Sequence, residues 1–301
     1  MSYFVIDVGG NFIKSACVEE GGEKIQKLPV CKTPETKEAF IRVLEKVLDN
    51  LPVKSKGVAI SHTGIVDNSE GKVVFNGSLP FLKGFNYRSF IQANFNIPVA
   101  IINDGQAAVL AESHTGALKG IKNGATLALG TGLALGIIMN GQLYQGANNI
   151  AGEVSFLLSS YHDVPLVRRA GIFNFIRPAN EILGNKDLDD ARLVFEAIKN
   201  EESPEVLQMF EEYSQIIANL IYNLHVILDL ECIAIGGGVS SEPLLIDKIR
   251  ELYLELYRQH PSFVFREEIF QPVPLTVCRF KNDANLLGAL FYLKETYNEI
   301  Q

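Results

Sequence analysis

A carboxylate two residues ahead of a diglycine, in the run Phe4-Val-Ile-Asp7-Val-Gly9-Gly10-Asn11, is the first arrangement in this 301-residue chain that carries chemistry. Gly9 and Gly10 permit backbone angles barred to other residues, so a turn built on them can aim its N–H groups at an anion with no Cβ in the way. A phosphate fits that description. Asp7 at the end of the apolar strand would repel a bare polyphosphate, and its expected task is to hold Mg²⁺ through water. The same residues also read as a tight hairpin with a capping aspartate. Further on, Gly130-Thr131-Gly132 repeats the theme of apolar strand, small-residue turn and returning strand. Gly236-Gly237-Gly238 follows a third apolar run, where a flat group such as adenosine can lie against the backbone, although a packing need would equally select glycine. Asp104 follows the apolar Pro98–Ile102 and opens an alanine-rich helix, where the dipole and unpaired N–H groups favour its anion. An anionic Asp104 is a proton acceptor; the plainer reading is a helix N-cap.

These groups need elements to position them. The apolar run over residues 3–8 and the alternating one after Phe12 predict a β-hairpin. Phe40, Val43, Leu44, Val47 and Leu48 share one face of a helix that starts after Thr36. Gly57–Ser61 reads as a buried strand, with His62-Thr63-Gly64 as a loop at its carboxyl end. There His62 either touches a ligand or is merely solvated, as loop histidines usually are. Asn76–Pro80 is a loop of small polar groups able to read hydroxyls, and Ser78 lies in it. Tyr87–Phe95 predicts a helix, as do Gly105–Leu118, Ser203-Pro204 to Asp229, and Ser240-Ser241 to about Gln259. Gly152-Glu153 closes a polar loop, where Glu153 either accepts hydrogen bonds from a polar ligand or sits on the surface. Asn282-Asp283 echoes Asn103-Asp104 at the start of a last helix. The segment Tyr161–Pro178 is the least readable. The echoes suggest two related halves, 1–116 with 282–301 and 117–281, with a nucleotide and its acceptor in a cleft between them.

Composition closes off other classes. With 47% hydrophobic and 21% charged residues, the chain has the balance of a globular protein able to build sizeable cores. No apolar run is long enough to cross a bilayer and no leader pattern opens the chain, which makes cytoplasm the expected location. A net charge of −8 is unsuited to a nucleic-acid backbone, so DNA binding by this chain is not expected. Cys17, Cys31, Cys232 and Cys278 are scattered, and reduced, mostly buried thiols are the expectation.

With Asp7-Val-Gly-Gly-Asn11, Asn103-Asp104, Gly130-Thr131-Gly132, Gly152-Glu153 and Gly236–Gly238 in this order, the chain resembles the ROK family of sugar kinases and sugar-responsive repressors over nearly its whole length. The resemblance implies an α/β fold of two duplicated actin-like ATPase (ribonuclease H-like) domains. It also implies ATP and Mg²⁺ as cofactors, and transfer of the γ-phosphoryl group to a hexose hydroxyl, commonly at carbon six. It places Asp7, Gly9, Gly10 and Asn11 in a first phosphate loop, Gly130, Thr131 and Gly132 in a second, and Gly236, Gly237 and Gly238 beside adenosine. Ser78, Asn103, Asp104 and Glu153 fall at the sugar, with Asp104 as the base, and a homodimer is implied. Asn11 stands where threonine is usual, Phe12 where lysine is, and Ser78 replaces a frequent asparagine. Phe156 replaces a histidine that precedes the family's zinc-binding cysteine cluster, and no cysteine lies between Cys31 and Cys232, so no zinc is expected. A start directly at the phosphate hairpin is what the kinase branch resembles, the alternative being a catalytically weak sugar-binding regulator. Loss of polar closure near Phe156 leads to the expectation of a glycoside or disaccharide acceptor, with free glucose as the conservative choice.

Overall fold

The computed structural model describes residues 2–22, 24–159, 164–259 and 271–298. It separates into two compact units: residues 1–119, 143–151 and 282–301 form the first, and 120–142 with 152–281 the second.

The chain opens with strands β1 (Ser2–Val8), β2 (Phe12–Glu19), β3 (Ile25–Lys27) and β4 (Cys31–Lys32), then helix α1 (Lys37–Leu48) and strand β5 (Ser55–His62). A small hairpin of β6 (Ile65–Asp67) and β7 (Lys72–Phe75) precedes α2 (Tyr87–Gln92), β8 (Val99–Asn103) and α3 (Asp104–Thr115). Next come β9 (Gly124–Leu129), β10 (Leu133–Met139), β11 (Gln142–Leu143), β12 (Leu158–Ser159) and β13 (Val164–Pro165). Helices α4 (Val167–Ala170), α5 (Phe173–Leu183), α6 (Ala191–Lys199) and α7 (Pro204–Leu228) follow, then β14 (Cys232–Gly236), α8 (Pro243–Gln259), β15 (Leu275–Val277) and α9 (Ala284–Asn298).

In the first unit the sheet runs β3-β2-β1-β5-β8, with β4 also paired to β2. β1 and β2 are antiparallel, whereas β1, β5 and β8 are parallel. The second unit repeats that plan as β11-β10-β9-β14-β15, an antiparallel β9–β10 hairpin followed by parallel β14 and β15. Parallel strands require crossovers that cover both faces, which is why β5 and β8 read as unbroken apolar runs. In the first unit a core of Phe4, Ile6, Phe40, Leu44, Ile60 and Ile101 lies between the sheet and α1, α2. The second core gathers β9, β10 and β14 with α5 to α8 around Phe175, Phe210 and Tyr213.

Local chemistry sets the helix starts. The Thr36 side chain accepts from the Ala39 N–H, Asn86 from Ser89, and Ser203 from Val206 ahead of Pro204 at the first helical position. Several boundaries differ from expectation: α2 stops at Gln92, α3 stops at Thr115 short of Leu118, and α8 begins at Pro243 because the Ser240 hydroxyl donates to the Gly237 carbonyl at 2.9 Å and closes a turn first. The thiols of Cys232 and Cys278 are buried, those of Cys17 and Cys31 half-buried. Among the described residues no helix is long and apolar enough to cross a membrane.

Candidate active site

The parallel register places residues of the first unit in a row at one sheet edge. Val8 lies beside His62 and His62 beside Asn103, so β1, β5 and β8 end together and the segments after them share the carboxyl edge.

Asp7 is 4% exposed. Its Oδ2 faces the Lys14 Nζ at 3.5 Å, and its Oδ1 accepts the Asn285 amide at 3.2 Å. Burial raises its carboxyl above the usual range, while Lys14, Asn285 and the Ser61 hydroxyl pull it back. The turn after it is held by its own backbone, Gly9 N–H to Phe12 O at 3.0 Å, and from outside by Thr33, whose hydroxyl donates to Gly9 O at 2.8 Å and whose N–H donates to Asn11 O at 2.9 Å. The N–H groups of Gly10 and Asn11 have no hydrogen-bond partner among the described residues. The expected reason for the glycines is corrected here. Neither Gly9 nor Gly10 is in the left-handed region; both are selected by close approach, since a Cβ would lie 3.1 Å from Phe12 O or 3.2 Å from the Ser78 Cβ. Ser78 therefore abuts the turn. Its N–H is held by Asn76 Oδ1 at 2.8 Å, and the Asn76 amide donates to Thr63 O.

At the end of β8, Asn103 is the N-cap of α3, accepting from Gln106 N–H at 3.1 Å and donating to Gly64 O at 2.8 Å. The plainer reading of Asp104 as that cap is thus replaced: Asp104 is the first helical residue, with Oδ1 accepting from Gly105 N–H at 2.8 Å. His62 is neither ligand-facing nor solvated. It is fully buried, its Nδ1 meets Thr63 O at 2.5 Å, Tyr87 packs edge-on at 5.5 Å, and burial lowers its pKa to about 4. Asn282-Asp283 does precede the last helix, α9, but its side chains act differently from those of Asn103-Asp104. These residues form a 3-10 turn, Asp283 pairs with Lys27 at 2.7 Å, and Asn285 supplies the contact to Asp7. No local pattern marked Thr33, Lys14 or Asn285 beforehand.

In the second unit, Gly130 N–H donates to Gly132 O at 3.0 Å, and Ser155 fastens the start of β10 through the N–H and carbonyl of Leu133. Gly130 O accepts from Ile172 N–H at 2.9 Å, which ties the turn around Thr131 to α5. Among Gly236–Gly238 only part of the run serves packing. Gly237 has φ +93° with a Cβ that would meet Leu129 O at 2.1 Å, and at Gly236 a Cβ would lie 3.0 Å from the Cys278 Sγ; nothing lies within 4 Å at Gly238. Gly152 is pinned as well, a Cβ there falling 2.1 Å from Leu135 O. Glu153 beside it is half-buried rather than on the surface, and burial raises its carboxyl above the usual range. Phe156, three residues on, is 50% exposed and so does not fill the core. Part of the unreadable stretch, residues 161–163, lies outside the described residues; the rest forms β13, α4 and the start of α5.

Among the described residues no group of three His, Cys, Asp or Glu is placed to hold a metal. A single buried carboxylate beside open backbone N–H groups suits Mg²⁺, which keeps most of its waters and takes its remaining ligands from phosphates.

Two α/β units, each a hairpin extended by parallel strands, with glycine turns at the ends of β1, β9 and β14, define the actin-like ATPase architecture. The sequence model of the ROK family matches residues 3–162 and 179–296, and the chain belongs to that family. It is 27% identical over 310 residues to a β-glucoside kinase of Listeria innocua, covering 99% of each chain. It is 28% identical over 309 residues to an N-acetylmannosamine kinase of Haemophilus influenzae, covering 98% of this chain and 96% of the relative. A ROK family protein of Streptococcus pneumoniae, solved with sucrose, superposes with a TM-score of 0.84 at 24% identity over 99% of this chain and 100% of that one.

Proposed function

We propose that the protein is an ATP-dependent sugar kinase, moving the γ-phosphoryl group to a hexose or hexoside hydroxyl at carbon six, of glucose or β-glucoside type. The observation that carries the reading is the shared carboxyl edge of β1, β5 and β8. It sets the Asp7 turn and Asp104 two inter-strand spacings apart, about 10 Å, which leaves room for a phosphoryl group and an acceptor hydroxyl. In this reading the N–H groups of Gly10 and Asn11 receive phosphate oxygens, as does the Gly130-Thr131-Gly132 turn. Gly236 to Gly238 border the adenosine; Ser78, Asn103 and Glu153 orient the sugar; Asp104 takes the hydroxyl proton as the new bond forms. Magnesium, held through water by Asp7, would neutralise charge on the transferred group. Family kinship to kinases of differing acceptors leaves the sugar to this chain's own residues, and the exposed ring of Phe156 beside Glu153 favours an acceptor carrying a substituent, because aromatic faces pack on sugar C–H surfaces.

A coupled ADP-release assay over glucose, cellobiose, an aryl β-glucoside and N-acetylmannosamine tests both levels. Sugar-dependent release is expected, with kcat/KM for the glucosides at or above that for glucose; a strong preference for free monosaccharide removes the glycoside half. Asp104→Asn should lower kcat by about 10²- to 10⁴-fold and leave sugar affinity close to wild type. A second reading, a sugar-binding regulator with weak catalysis, draws on Asn11 and the exposed Phe12 at the phosphate turn. It is the outcome if sugars bind and no ADP appears.

A further inference from the structure

We propose that Thr33 is the positioning residue of the first phosphate turn, holding the Gly9–Gly10 peptide plane so that the Gly10 N–H faces the bound phosphate. The proposal rests on the kinase reading and deepens it. In a planar trans peptide the carbonyl and the following N–H point in opposite directions, so whatever grips the Gly9 carbonyl also aims the Gly10 N–H. Thr33 is that grip. Its hydroxyl donates to Gly9 O at 2.8 Å across 24 positions of sequence, and its own N–H donates to Asn11 O at 2.9 Å. One residue thus fixes the two peptide planes on either side of the Gly10–Asn11 plane. The Gly10 N–H is turned away from Thr33, towards the side where no described residue takes it.

The need for such a grip follows from the glycines. Close approach of Phe12 O and Ser78 selects them, yet glycine holds a peptide plane more loosely than any other residue. Turning the Gly9–Gly10 plane over carries Gly10 from its present φ to a positive one, a move barred to most side chains and open to glycine. The overturned plane would set a carbonyl oxygen where the N–H had been, and that oxygen repels the phosphate that the N–H attracts. Thr33 is mounted firmly enough to prevent this. Only 5% of it is exposed, and it follows β4, which pairs with β2 through Lys32–Phe12 and Cys31–Ile13. Pro34 after it keeps Thr33 out of helical backbone, and Thr36 caps α1. Thr33 touches no nucleotide in this role; it orders the turn before phosphate arrives.

Calorimetric titrations of the full-length protein, without sugar and with MgCl₂ present, compare ATP with adenosine. Thr33→Val keeps the shape and the N–H to Asn11 O but loses the hydroxyl, and should bind ATP about 3- to 10-fold more weakly while adenosine stays within about twofold. Thr33→Ser, which retains the hydroxyl, should recover most of the loss. If the valine protein unfolds, Thr33→Ala repeats the comparison with more room at Gly9 O, and the same selective loss is expected. In ¹⁵N spectra of wild type, the Gly10 amide proton should move downfield on adding MgATP and stay in place with adenosine; without the Thr33 hydroxyl that movement should shrink. Unchanged ATP affinity in Thr33→Val, equal losses for ATP and adenosine, or a Gly10 amide indifferent to ATP while ATP binds overturns the proposal and leaves the kinase reading intact. Wild type that binds no ATP at all overturns both.

Discussion

His62 shows what burial does to a single side chain. Its folded pKa is lowered to about 4 from 6.5 by desolvation, so between those values the unfolded chain binds the proton and the folded one refuses it. The resulting stability is complete above pH 6.5 and drains away as pH falls towards 4, about 3 kcal/mol across the window. Asp7 acts in the other direction, since a raised carboxyl is protonated more readily in the fold and favours it on acidification. Urea midpoints at pH 7 and pH 5 should therefore drop steeply in wild type and much less in His62→Leu; equal slopes would clear His62. The sequence could not show this burial, because a polar residue at the end of an apolar run reads as the start of a loop, and only the flanking β1 and β8 carry β5 through it. Lys14 and Asn285 were invisible for a related reason. A lysine in an alternating strand looks solvated, and Asn285 meets Asp7 across 278 residues of chain.

At the level of elements, what could be read was what is local. Helix caps such as Thr36 and Ser203, and the hairpins ending β1 and β9, follow from residues within a few positions of one another. The sequence cannot say which glycines of the triglycine after β14 serve packing, and the structure shows close contacts at Gly236 and Gly237 but none at Gly238. Gly237→Ala must hold φ near +93° and push aside the Leu129 carbonyl, so it should cost about 1–3 kcal/mol or more, seen as a lowered Tm. Gly238→Ala meets nothing within 4 Å and should melt with wild type. If adenosine lies against this turn, Gly238→Ala should nevertheless raise the Kd for ATP. Unchanged ATP affinity in that variant would return the triglycine to packing alone.

Over the whole molecule, the first unit is closed by the two ends of the chain, and its site waits on the last helix. α9 packs on α3, β1, β5 and β8, which explains why both α3 and α9 are apolar on nearly every side rather than along one stripe. The two helices approach so closely that a Cβ on Gly288 would lie 1.7 Å from Ala107 O. The same helix brings Asn285 to Asp7, so a change at Gly288 acts on the phosphate turn through α9 although it touches neither nucleotide nor sugar. Gly288→Ala has no flexible side-chain end to displace and must shift one helix backbone against the other, a large overpacking effect of about 3 kcal/mol or more. Native-state hydrogen exchange localises it: amides of β1, β5, β8 and α3 should lose protection, and those of β9, β10 and β14, whose core is built without α9, should lose much less. MgATP affinity should fall in step with the first unit's protection, since Asp7 loses its anchor. Uniform loss of protection over both sheets, or a Gly288→Ala protein with wild-type exchange, would show that α9 does not hold the first unit and its carboxylate in this way.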